Sequence, residues 1–205
     1  MKLHDSKRAP NPRRVRWFMA EKGIKDIELV EVDIFGGDHR TDAYLSMAGL
    51  PNVPALELDD GTGITESIAI CRYLESLYPD PNMFGTDALE TAIIEMWTRR
   101  AEMMVATPLM LTVRHSHPAL AALEKQVPAT AEAQRTAAEC GLTILDRQLG
   151  KSEFIAAGRI TMADIVAIAS IDFARMVKFR PAEELTHIAR WMDVMRARPA
   201  ASAGL

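Results

Sequence analysis

The sequence predicts a protein in two parts. A mixed α/β domain of element order βαβαββα covers residues 1–79, an all-helical domain covers 88–205, and a linker at 80–87 joins them. Three observations carry this reading. Short strand-like runs alternate with helical ones up to residue 79. The stretch Pro79-Asp80-Pro81-Asn82 then breaks the pattern. Beyond residue 88 the apolar residues recur only at helical spacing.

Residues 1–5 read as the first strand. Asn11-Pro12 opens a helix, because Asn is a good N-cap and proline suits the first helical position. Val15, Phe18 and Met19 face inward on that helix and Gly23 stops it. Residues 27–32 alternate as a second strand. The Gly36-Gly37 pair marks a loop, and 42–48 fits a short helix. Residues 54–58 and 62–64 form two strands about the turn Asp59-Asp60-Gly61. Ile68, Cys71, Leu74 and Leu77 mark one face of a helix that ends before Pro79. A helix between the first two strands implies a right-handed crossover and parallel pairing, whereas the last two strands form an antiparallel hairpin. The sheet is therefore mixed and four-stranded.

In the helical part the pattern gives helices at 89–114, with a kink expected at Pro108, at 129–149, at 162–179 and at 183–196. Thr161-Met162-Ala163-Asp164 is a capping box with Asp in place of Glu. It heads the most apolar helix, so Thr161 and Asp164 are read as structural: a buried helix end must satisfy its own N–H groups. Residues 200–205 are expected to fray.

At 205 residues, 48% hydrophobic and 25% charged, the composition is that of an ordinary globular protein. A formal charge of −4 argues against a dedicated nucleic-acid binder. No apolar run reaches the length of about 18 residues that a membrane span needs, and Met1-Lys2-Leu3-His4-Asp5 lacks the apolar core of a signal peptide. Cys71 and Cys140 are the only cysteines, with no Cys-x-x-Cys, so the expectation is a reducing cytoplasm, two packing residues, and neither disulfide framework nor zinc site. His115 and His117 lack acidic partners at metal-ligand spacing and are read as helix-end residues; no metal site is expected. Lys2, Lys7, Arg8, Arg13, Arg14 and Arg16 read as a solvated loop and helix face, with an anion-attracting patch as the alternative.

The densest chemical signal is Leu50-Pro51-Asn52-Val53-Pro54-Ala55-Leu56 followed by Thr65-Glu66-Ser67 at the head of an apolar helix. A free amino acid group carries an ammonium and a carboxylate on one carbon. Glu66 can take the ammonium, while Ser67 and the unpaired N–H groups of the helix N-terminus can take the carboxylate. Val53, held extended before Pro54, can offer its backbone to a peptide. Together these residues form a clamp for a small γ-linked peptide.

These motifs and their order resemble the cytosolic glutathione S-transferase superfamily over essentially the whole chain. Asn52-Val53-Pro54-Ala55-Leu56 resembles the family's Val-Pro-x-Leu segment, Thr65-Glu66-Ser67-Ile68-Ala69-Ile70 its Glu-Ser-x-Ala-Ile segment, and Phe154-Ile155-Ala156-Ala157-Gly158 with Thr161-Met162-Ala163-Asp164 its second-domain capping segment. The resemblance implies a thioredoxin-like first domain that binds glutathione. It also implies a cis bond before Pro54, pairing of Val53 with the cysteinyl backbone, and capture of the γ-glutamyl group by Glu66 and Ser67. By the same resemblance His39, after the Gly-Gly loop, reaches the glycyl carboxylate.

The chain departs from the family at the reactive end. Ala9, Asn11 and Asp5 stand near the places where serine-, cysteine- and tyrosine-type members carry their reactive residue. Ala9-Pro10-Asn11-Pro12 resembles the Thr-Pro-Asn-Gly stretch of nu-class members, with the Asn matched and the Thr not. Asn11 is thus the first candidate for contact with the thiol, and Ser6, the nearest hydroxyl, the second; a plain N-cap at Asn11, with activation by backbone or water, remains the other reading. The implied function is conjugation of glutathione, as co-substrate, to small hydrophobic electrophiles in a cytoplasmic homodimer, without nucleic-acid or membrane partners. The alternatives are a glutathione-dependent disulfide or peroxide reductase, and a non-catalytic glutathione- or partner-binding protein.

Overall fold

The computed structural model describes residues 1–203. They divide into two compact units: Met1–Asn82 together with the short 3-10 helix Pro199–Ser202, and Met83–Arg198.

The first unit is built on strands β1 (Lys2–Asp5), β2 (Glu28–Glu31), β3 (Ala55–Glu57) and β4 (Gly63–Thr65), with helices α1 (Pro10–Lys22), α2 (Asp42–Ala48) and α3 (Ser67–Leu77). The sheet order is β2-β1-β3-β4. β1 and β2 are parallel, and β3 is antiparallel to both β1 and β4. This is the mixed four-stranded sheet that the sequence predicts. Leu3, Val15, Phe18, Leu56, Ile70 and Leu74 are fully buried at its centre, each contributing about 1.5–3 kcal/mol through burial.

Four local expectations for this unit change. Helix α1 starts two residues earlier than predicted: Ala9 is the N-cap, Pro10 the first helical residue, and Asn11 lies inside the first turn. Both prolines are tolerated because first-turn N–H groups have no intrahelical acceptor. The buried face of α3 is Ser67, Ile70, Cys71 and Leu74, while Leu77 is exposed. The arginines of α1 are not a solvated face. Arg13, Arg14 and Arg16 are all buried, and each has a different partner: the Ala201 carbonyl, the Ser67 hydroxyl and the Asp5 carboxylate respectively. Burial pushes the Asp5 carboxyl above its ordinary range, against the pull of the Arg16 guanidinium. The tail is not frayed at Pro199–Ser202, where Ala200 and Ala201 are buried; residues 204 and 205 lie outside the described range.

The second unit contains α4 (Ala88–Ala101), a π-helical turn Glu102–Ala106, α5 (Thr107–Ser116), α6 (Pro128–Leu149), α7 (Met162–Phe173) and α8 (Thr186–Arg196). The predicted helix 162–179 is thus shorter, closing in a 3-10 turn and a left-handed Lys178. Asp164 is the hub of this unit. It accepts from the N–H groups of Ile155 and Thr161, the Thr161 hydroxyl and the Trp191 indole, each at 2.9 Å. Burial pushes its carboxyl up to about 6 against the pull of these donors. His115 and His117 accept from the N–H groups of Val127 and Ala119, which fits their reading as helix-end residues.

Just before Pro108 the long helix widens into the π-helical turn. Proline has no N–H for the Met104 carbonyl, and its ring would crowd that oxygen in a regular helix. The Thr107 N–H instead reaches back five residues to the Glu102 carbonyl. The Met104 carbonyl then faces Gly141 of α6, where a Cβ would overlap it. Gly141 is required by this close approach and not by an unusual φ.

Gly141→Ala should therefore lower stability by about 1–3 kcal/mol, the range for overpacking a core, read as a fall in the urea midpoint. A second expectation concerns acid. Ion pairing with Arg159 and hydrogen bonds from Thr86 hold the Glu90 carboxyl down at about 2. A lowered carboxyl contributes stability above its ordinary value and loses it as pH falls towards the folded value. Wild type should accordingly lose stability between about pH 4.5 and pH 2 faster than Glu90→Gln, measured by thermal melts across that range.

Candidate glutathione site

The sheet register assembles the candidate site. Ala55 of β3 faces His4 of β1 on one side and Thr65 of β4 on the other. The ladders end there, so Pro54 and Val53 lead into β3 at the same end of the sheet where β1 runs out to Ser6 and β4 runs out to Glu66 and Ser67. β2 runs parallel to β1, so the chain leaving it towards His39 starts from the same end of the sheet.

The Val53–Pro54 bond is cis, as the family resemblance implied. A second cis bond, Asp80–Pro81, was not foreseen. The segment before Val53 is tied down by the Tyr44 hydroxyl, which donates to the Asn52 carbonyl at 2.5 Å. Burial pushes the Tyr44 hydroxyl up to about 12, so it stays a donor at neutral pH. Among the described residues the Val53 backbone makes no hydrogen bond to another backbone group. It remains open to an extended ligand.

Glu66 is the N-cap of α3, with φ 68° and ψ 114°. This left-sided conformation is rare for a residue with a Cβ and costs about 1–3 kcal/mol. Its side chain is exposed and has no ion-pair partner among the described residues. Ser67 follows at the first helical position, buried, with its hydroxyl accepting from Arg14 Nη1 at 3.3 Å. A carboxylate, a hydroxyl and the free N–H groups of a helix end thus lie in consecutive residues.

Two further candidates carry buried polar atoms that lack a hydrogen-bond partner among the described residues: Asn11 Oδ1 and His39 Nδ1. Native proteins pair nearly all such atoms, so each is an open position for a ligand or water. Asn11 does not cap its helix, so the plain N-cap reading is withdrawn. His39 lies in the 3-10 turn Asp38–Arg40 and is buried. Burial and the neighbouring Arg40 charge hold its imidazole below its ordinary pKa, so it is neutral at pH 7. Ser6 is half-buried at the end of β1, and its carbonyl accepts from the Ala9 N–H at 3.0 Å. These groups match a ligand that bears an ammonium, carboxylates, a peptide backbone and a thiol.

Comparison with known proteins decides the family. Residues 9–77 match the glutathione S-transferase N-terminal domain, and residues 101–199 match the glutathione S-transferase C-terminal domain. Glutathione S-transferase 2 of Saccharomyces cerevisiae is 33% identical over 203 residues, covering 97% of this chain and 87% of that protein. The chain belongs to the glutathione S-transferase family. The crystal structure of Gtt2 from S. cerevisiae superposes with a TM-score of 0.93 at 32% identity, covering all of both chains. A glutathione S-transferase domain-containing protein from Marinobacter aquaeolei superposes at 0.92 and 35% identity, covering 98% of this chain and all of that one.

Against this glutathione S-transferase fold, sequence reasoning missed Arg14. The basic run hid it, because a charge on an amphipathic helix normally points to water. The spacing to Arg13 and Arg16 carries no sign that one of the three reaches Ser67. The positive φ of Glu66 was equally invisible, since Glu is not a residue that marks left-handed backbone.

The strained Glu66 yields a test. Glu66→Gly should raise stability by about 1 kcal/mol, the strain released less the greater freedom glycine has in the unfolded chain. Affinity for glutathione should fall at the same time. Thermal melts and calorimetry on one preparation read both effects.

Proposed function

We infer that this family member conjugates glutathione to small hydrophobic electrophiles, in a cytoplasmic homodimer and in a detoxifying role. The observation that supports the reading is that Val53, with no backbone hydrogen bond among the described residues, leads into β3 at the end of the sheet where β4 runs into Glu66, Ser67 and the start of α3. In this reading residues 1–79 form the glutathione-binding domain and 88–205 the helical domain. Glu66 takes the γ-glutamyl ammonium. Ser67 and the α3 N-terminus take the carboxylate beside it. Val53, behind Pro54, pairs with the cysteinyl backbone, and His39 meets the glycyl carboxylate as a neutral donor.

Glutathione supplies the nucleophile: its sulfur forms a bond to an electrophilic carbon as the leaving group departs with its electron pair. The protein must favour the thiolate. A free thiol has a pKa of about 8.5, and lowering it by about two units needs roughly 2.7 kcal/mol of preference for the anion. A helix N-terminus contributes at most about 2 kcal/mol, and a hydrogen bond to a charged group about 1.5–3. The two together suffice. Asn11 lies in the first turn of α1 and can supply both, its side-chain amide donating while the helix end adds its dipole. The nu-like assignment of Asn11 belongs to this proposal, with Ser6 as the other candidate.

Two features support the remaining parts. Leu89, Ile93, Met96 and Met103 are exposed along one run of the long helix, apolar surface of the kind that subunit contacts cover. Cys71 and Cys140 are both free thiols, which suits a reducing compartment.

The test is the ultraviolet absorbance of the bound thiolate against pH. A lowered pKa with turnover of an aryl halide supports conjugation. Turnover of disulfides or peroxides alone would assign a reductase, and tight binding with an ordinary pKa a glutathione-binding protein. Asn11→Ala should raise the bound thiol's pKa by roughly one to two units, the loss of one charge-assisted hydrogen bond, and Ser6→Ala should move it much less. The reverse order transfers the role to Ser6.

A further inference from the structure

Ser67 has one hydroxyl proton and two acceptor lone pairs, so what it can offer a ligand depends on where that proton points. A serine at a helix start commonly spends its oxygen on a nearby backbone N–H. Ser67 makes no such cap bond; Glu66 is the N-cap, and it too makes none with its side chain. Instead Arg14, buried on α1, donates to Ser67 Oγ. A guanidinium has only donors and never loses its charge. With Arg14 on one lone pair, the hydroxyl proton cannot point back at its partner and is left to donate elsewhere. A permanent positive charge also stands behind the α3 N-terminus, in a setting where burial weakens screening.

We propose that Arg14 is the positioning residue of the clamp: it holds the Ser67 hydroxyl as a donor and makes the site select ligands for a free α-carboxylate on the γ-glutamyl group. The proposal rests on the glutathione reading of Glu66 and Ser67. It adds a specificity: amidation of the α-carboxylate removes the negative charge that the Arg14 cation favours and replaces one of its two acceptor oxygens with an NH2 donor, leaving a single neutral carbonyl for the Ser67 hydroxyl. Arg14 is placed against Ser67 on α3 and is assigned no ligand contact of its own, so removing it should change selectivity more than general affinity.

The experiment measures calorimetric affinities of wild type, Arg14→Met, Arg14→Lys, Ser67→Ala and the Arg14→Met/Ser67→Ala double variant. The ligands are glutathione and its γ-glutamyl α-amide. Wild type should prefer glutathione by at least about tenfold. Arg14→Met should weaken glutathione by about tenfold to a hundredfold, the range for a charge-assisted contact, and leave the amide within about threefold. In the Ser67→Ala background the same change should have a clearly smaller effect, because the partner through which Arg14 acts is gone. Arg14→Lys, which keeps the charge, should recover part of the preference.

Equal weakening of both ligands by Arg14→Met, full additivity with Ser67→Ala, or no effect on either ligand would overturn the proposal. If Arg14→Met does not fold, Arg14→Lys and the wild-type preference still decide it: a wild type that binds both ligands alike rules it out. Failure of the underlying reading looks different, since Ser67→Ala and Glu66→Ala would then leave glutathione affinity unchanged.

Discussion

The register of the β3–β4 hairpin is the constraint on which the candidate site depends. Ala55 faces Thr65, and that single pairing puts Val53-Pro54 and Glu66-Ser67 at the same end of the sheet. Slipping it by one residue would turn every side chain to the opposite face. The alignment is pinned from both ends. Gly61 closes the turn with its N–H on the Leu58 carbonyl, and the Asp60 carboxylate accepts from the Thr62 N–H at 2.9 Å. At the other end Tyr44 holds the Asn52 carbonyl. Gly63 carries the same logic into the sheet, since a Cβ there would overlap the Met47 carbonyl of α2.

Burial of charge is the second theme of the first unit. Taking a guanidinium out of water is costly unless its donors are met, and α1 buries three. Arg16 meets Asp5 and the Lys7 carbonyl, Arg13 meets the Ala201 carbonyl and lies over the Trp17 ring, and Arg14 meets Ser67. Each of these hydrogen-bond partners lies in a different segment from α1, so the side chains fix the helix against its neighbours. Placing one of them against Ser67 also adds positive charge at the end of α3 where a helix N-terminus is already favourable to anions.

The second unit solves a related problem with a carboxylate. Asp164 gathers donors from three places in the chain, the segment before α7, the α7 cap itself and α8. A buried group with that many donors is stable only if all of them arrive together, which makes it a specification of how α7 and α8 meet. The π-helical turn at Glu102–Ala106 is also a packing solution, in which the missing proline N–H at Pro108 and the missing side chain at Gly141 fit each other.

The features that the sequence determined by itself are those whose physics is local. The Asp59-Asp60-Gly61 turn, the Gly23 stop, the short helix 42–48 and the Thr161–Asp164 box depend on residues within a few positions of one another, and they stand as read, whereas the burial alternation expected of the second strand is absent from β2, where Leu29 is exposed. The order of Val53, Pro54, Glu66 and Ser67 along the chain was legible too, and the cis Val53–Pro54 bond agrees with the family resemblance it carried. The tertiary structure decided the rest. It moved the α1 cap to Ala9, rotated the buried face of α3, buried His39 and the arginines, and gave Glu66 its positive φ. It also placed a π-helical turn before Pro108. Each of these turns on a partner far away in sequence: Arg14 and Ser67 are 53 positions apart, and Gly141 lies on a different helix from Met104. Local pattern can show that a residue is charged or small, but the cost of burying it is set by whatever the fold brings against it.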